Sequence, residues 1–119
     1  MHNYKNLKIW ELSMDLVMRA YSITSLFPTF ETHGLKSQIQ RAAVSVPSNI
    51  AEGSGRSSDK EFCRFLDIAI SSSFELETQI EIANKLNYIE TEAFHEFIEK
   101  CKEVQKMMYS FRKNIKNNN

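Results

Sequence analysis

Few residues in this chain have the types and spacing that chemistry needs. Glu92 and His95 are three apart, the interval by which helical bundles put a carboxylate and an imidazole on one iron ion, and a di-iron centre requires that pair twice. The other histidines, His2 and His33, lack such a glutamate, and Glu92 and His95 both fall off the apolar stripe of their own segment. The sequence therefore argues against a metal centre and implies no cofactor. Ser45, Ser48 and Ser54 have no histidine or acidic relay close by in the chain, so nothing local activates them as nucleophiles. Gly53 to Arg56 reads GSGR, but it follows a helical pattern rather than a strand and lacks the lysine-threonine pair of a phosphate loop. With no convergent acid, base and nucleophile, the expected protein is not an enzyme.

Two basic features remain. Lys102, Lys106, Lys113 and Lys116, with Tyr109 interleaved, fall on the outer side of the last helical segment, while Arg41, Arg56 and Arg64 gather around the stretch Gln38 to Arg56 and the segment after it. Lysines in a last helical turn can simply complement the helix dipole. They can also contact phosphates, and patches repeated around a ring would bind polyvalently, with an affinity that falls steeply with salt. Fifteen basic residues balance fifteen acidic ones, so no global field favours nucleic acid and any such binding has to be local.

The elements that carry these residues are helices, because only three glycines and two prolines interrupt the chain. The spacing predicts helices over about 7–27, 34–53, 59–86 and 92–115, with 117–119 fraying, in one domain: an all-α, antiparallel up-and-down four-helix bundle. The first has a wide apolar arc in which Ile9, Leu12, Leu16 and Ile23 face a neighbour that another subunit can supply. The second holds Pro47 and is expected to kink there and to end on Gly53 and Gly55 as left-handed caps. At ~100° per residue it carries a polar stripe, Gln38, Arg41, Ser45, Asn49 and Glu52, between the apolar strip Leu35, Ile39, Ala42, Val46 and Ile50 and a smaller one, Val44 and Ala51, that reads as a subunit contact. The polar stripe is expected to be partly enclosed with partners on another helix or subunit. Ser58 with Glu61 predicts a capping box opening the third helix, whose inner face runs from Phe62 to Leu86. Its opposite side, Cys63, Ile70 and Phe74, reads as a subunit contact. Thr91 is the cap candidate of the fourth helix, where Phe94, Phe97, Ile98, Cys101, Val104, Met108, Phe111 and Ile115 form one stripe.

Cys63 and Cys101 sit at apolar helical positions without metal-binding spacing, which predicts reduced thiols in a cytoplasmic protein. The N-terminus, MHNYKNLKIWELSM, is broken by charges, so neither a signal peptide nor a membrane span is expected.

The run RAAVSVPSNIAEGSGR, followed by KEFCRFLDIAISSSFELETQIEIANKLNYI and preceded by LKIWELSMDLV, resembles the 23S rRNA intervening-sequence proteins over almost the whole chain. SVPSNIAEG, Ser45 to Gly53, is the most specific part. The family is similar to the accessory variability determinants of diversity-generating retroelements. The resemblance implies a homo-oligomer, a ring of five bundles, that binds RNA or DNA or a protein partner and has no defining enzymatic activity. Relatives commonly carry a basic residue and glycine after the helix-three alanine, whereas this chain has Ile70 and Ser71, which removes a positive charge. The resulting expectation is a nucleic-acid-binding accessory protein, with a protein-interaction scaffold as the alternative.

Overall fold

The computed structural model describes residues 2–117. Within them are four α-helices, α1 (Lys8–Thr24), α2 (Leu35–Ser54), α3 (Asp59–Lys85) and α4 (Thr91–Asn117), plus 3₁₀ turns at Tyr4–Asn6 and Thr29–Glu31, and no strand. The four predicted helices are all present. Of the predicted fraying tail, Asn117 belongs to α4, and 118–119 lie outside the described residues.

Local chemistry sets the boundaries. α1 stops three residues before the predicted end, where Thr24 Oγ donates to the Ala20 carbonyl (2.8 Å) and Ser25 Oγ to that of Ser22 (2.6 Å), hydroxyls that compete with the helical ladder. α2 runs unbroken through the buried Pro47. Ser58 Oγ accepts from the Glu61 amide at 3.1 Å, opening α3 as its sequence predicts. Thr91 is not a cap: it is the first helical residue, and the Glu90 carbonyl accepts the first bond, from the Phe94 amide, at 2.9 Å. The glycines are not left-handed caps either. Gly53 lies inside α2, Gly55 has φ −87°, and the positive φ among the described residues belongs to Asn87 (64°) in the α3–α4 turn.

Each helix packs on two others, α1 on α2 and α4, α3 on α2 and α4, around a common core in a molecule 47 Å long. Contact order reverses between α3 and α4: Phe62 meets Phe111, Asp67 meets Arg112 and Glu77 meets Gln105. Two-sided packing explains two departures from expectation. Cys63 and Ile70, expected at a subunit contact, are buried inside the chain because α3 is covered on two faces, and Ile9 and Leu16 are buried in the same core by the neighbours of α1. Leu86, expected on the inner face of α3, is half exposed because the helix has ended one residue before it.

The N-terminal residues close one end of the bundle. The His2 amide donates to the Ser54 carbonyl (3.1 Å), and its ring lies 5.1 Å from Phe62 and 6.1 Å from Phe111, with Nε2 3.7 Å from Asp59.

Candidate nucleic-acid interface

The outer face of α4 is built by its own amphipathicity. Because Phe94, Phe97, Cys101, Val104, Met108 and Ile115 are buried against α1 and α3, the residues opposite them must face water. Lys102, Lys106, Tyr109, Lys113 and Lys116 fall within an arc of about 80° there, over ~21 Å of helix. All five are exposed, and none of the four lysines makes an ion pair among the described residues. Glu92 and His95 are exposed on the same helix, away from the core.

α4 also segregates charge in a way the balanced totals hide. From Glu90 to Glu99 there are four acids and no lysine or arginine, whereas from Lys100 to Lys116 there are six bases and only Glu103, so the basic field is confined to the C-terminal half. Two ion pairs connect this helix to its neighbours α1 and α3. Arg19 of α1 bonds Asp15 and Glu96, and Arg112 bonds both carboxylate oxygens of Asp67 at 2.5 and 3.1 Å. Hydrogen bonds to Asp15, then Glu96, raise the Arg19 pKa above its ordinary value, and the bond to Asp67 does the same for Arg112. Both guanidiniums are spoken for by protein carboxylates, unlike the four lysines.

The three arginines do not form one cluster. Arg56 and Arg64 come together over the ring of Phe65, at 4.6 and 5.4 Å from its centroid, each with an acid nearby, the exposed Glu52 at 3.6 Å and the half-buried Glu61 at 3.9 Å. Arg41 lies ~20 Å back along α2. It is exposed and unpaired among the described residues, beside a shallow groove lined by Tyr21, Ser37, Gln40, Val44 and Ser45.

The polar stripe of α2 is enclosed only at its middle. Ser45 Oγ bonds Ser72 Oγ of α3 (2.7 Å), and Asn49 Nδ2 donates to the Ser45 carbonyl (2.8 Å) and Oγ (3.0 Å). Gln38, Arg41 and Glu52 are exposed, and among the described residues Glu52 pairs only with Arg56, four residues on in the chain. Long side chains reach water from a helix edge, so they escape the enclosure that the short Ser45 and Asn49 cannot.

Of the predicted contact residues, Val44 (39 % exposed) and Phe74 (45 %) remain open to solvent, and Leu12, Ile23 and Ala51 are half-buried. The apolar surface that α1 leaves unpartnered is a different strip, Met14 (37 %), Met18 (66 %) and Tyr21 (45 %). The width of the apolar arc on this helix is legible in the sequence, but which edge of it the chain itself covers is not.

At the other end of the bundle, Arg19, Ile23, Leu26, Tyr88, Glu90 and Phe97 line an open cleft of about 370 Å³. Its arginine is neutralised by Asp15 and Glu96, so the cleft presents no free cation. Both cysteines are free and buried, and burial, with the nearby Glu77 charge, pushes the Cys101 thiol up to about 12. Among the described residues no group of His, Cys, Asp and Glu is arranged to hold a metal, and no helix is long and apolar enough to cross a membrane.

Comparison with solved structures finds a protein of unknown function from the S23 ribosomal protein family of Bacteroides thetaiotaomicron VPI-5482, with a TM-score of 0.79 at 23 % identity, covering 88 % of this chain and 98 % of that one. That likeness carries the fold. No curated protein matches. The family model described as 23S rRNA-intervening sequence protein matches residues 5–110, which include α1, α2, α3 and most of α4, and the chain belongs to that family.

Proposed function

We propose that this protein is a non-enzymatic, homo-oligomeric accessory protein that binds RNA or DNA through backbone phosphates. The observation that carries the reading is the row Lys102, Lys106, Lys113 and Lys116, four exposed cations on one edge of a helix with no carboxylate partner among the described residues. Lysines held in internal ion pairs would have to break them to meet a phosphate, and these have none to break. Arg41, Arg56 and Arg64 extend the basic surface on other helices. The exposed strip Met14, Met18 and Tyr21 beside Val44 supports self-assembly, for which a ring of five is the stoichiometry the family resemblance suggests. The charge-free alternative, a protein scaffold, draws on the same apolar strip alone.

The test pairs mass with binding. Light scattering of the purified protein gives subunit number, and titration of labelled RNA and DNA at low salt gives affinity. Binding should weaken as salt rises, with a log–log slope that becomes shallower by about 0.7 to 0.9 for each phosphate contact removed. Replacing the four lysines with glutamine together should abolish most of it. No binding at low salt, or binding indifferent to that replacement, rejects the reading in favour of the scaffold.

A further inference from the structure

The lysine row has an aromatic ring at its centre. Tyr109 is 53 % exposed between Lys106 and Lys113, on the same narrow arc, and its ring meets no other aromatic ring among the described residues. Core packing does not account for it, since the core face of α4 is filled by Cys101, Val104, Met108 and Ile115 on the opposite side. A duplex would satisfy the lysines but offer this ring nothing, because its bases present their faces to one another. An unpaired base can lie flat on the ring while the phosphates on either side of it run along the lysines. Glu99 lies one turn before Lys102 and Glu103 directly follows it, so the cations farthest from acids on this helix are Lys106, Lys113 and Lys116 and a polyanion is held to its C-terminal half.

Resting on the nucleic-acid reading above, we infer that the ligand is a single-stranded segment, a strand end or an unpaired loop, with one base stacked on Tyr109 and its neighbouring phosphates on Lys106 and Lys113. Base–aromatic stacking is tolerant of sequence, so the site selects strandedness rather than a particular base. Contact through few phosphates also predicts a modest salt slope of about 0.7 per contact, the single-strand value.

Fluorescence anisotropy with the full chain would test this, using oligothymidylate and oligouridylate of about 12 nucleotides and a mixed-sequence duplex of the same length. Both single strands should bind more tightly than the duplex. Tyr109→Ala should weaken single-strand binding at least about fivefold without changing its salt slope, and Tyr109→Phe should retain it. Lys113→Gln should instead make the slope shallower. Circular dichroism of each variant checks that α4 is intact, which an exposed position favours. If the duplex binds as tightly as the single strands, or Tyr109→Ala binds like the parent, the inference is overturned while the nucleic-acid reading stands. If no nucleic acid binds at all, both fall.

Discussion

A Cβ added at Gly53 would meet Phe65 Cβ at 2.6 Å and Phe62 Cδ1 at 2.9 Å. α2 and α3 therefore approach closely at this glycine, and Phe65, whose Cβ sits against it, is only 8 % exposed beneath Arg56 and Arg64. Two effects oppose each other in Gly53→Ala. Alanine gains about 1 kcal/mol in helix propensity, whereas overpacking costs about 1–3 kcal/mol. Sterics should win, because the nearest atom is a Cβ fixed to the α3 backbone and cannot swing aside. Denaturant unfolding should show a net loss of up to about 2 kcal/mol. Gly55→Ala is the control, since its added carbon would meet nothing closer than the Glu52 carbonyl at 3.6 Å, and a Gly53→Ala protein as stable as that control would refute the packing argument. The sequence displayed both glycines, but spacing along one chain does not reveal how near a second helix comes, so the pair read as caps.

At the scale of the helix, the N-terminus of α2 is secured from outside itself. Its N-cap, Gly34, has no side chain, and Glu31 Oε1 accepts from the Leu35 amide at 3.0 Å while Oε2 accepts from the Tyr88 hydroxyl at 2.9 Å. One carboxylate thus caps α2 and ties it to the turn before α4. Glu31→Ala removes both bonds and should cost about 1–2 kcal/mol in thermal or denaturant unfolding, while Glu31→Gln, which keeps an acceptor oxygen, should lose less. Equal stability for Glu31→Ala and the parent would show that water caps this helix adequately. The contrast with Ser58 explains what was legible. A serine with glutamate three residues on is a local pattern, and α3 begins where it predicts. Glu31 acts across a glycine, and its second partner is 57 residues away, so no local pattern reports it. The heptad-like stripe of α4 was legible for the same reason as the capping box, since one face of a helix is written every three or four residues. The burial of Cys63 and Ile70 was not, because it depends on which neighbours cover the second face of α3.

For the whole molecule, the two surfaces that the proposed function uses occupy different helices. Tyr21 shares a groove with Val44 of α2, next to Met14 and Met18, while the lysine row lies on α4, which does not pack on α2. Sequence totals concealed both: zero net charge masked the acidic and basic halves of α4, and a wide apolar arc on α1 did not say which edge the chain leaves bare. If assembly uses the methionine strip and phosphate contact uses the lysine row, they separate by mutation. Met18→Glu puts a charge at the most exposed point of the strip, where an isolated chain tolerates it but an apolar contact does not. Light scattering should therefore fall from oligomer to monomer with little change in helicity. Affinity for an oligonucleotide short enough to touch one subunit should hold, because no lysine contact has changed. Affinity for a strand long enough to span several subunits of the proposed assembly should drop by a factor on the order of 100 or more, since linked weak sites lose their effective concentration when an assembly comes apart. An unchanged mass would place the assembly face elsewhere, and equal losses for short and long strands would mean that the α1 strip and the α4 row act as one site.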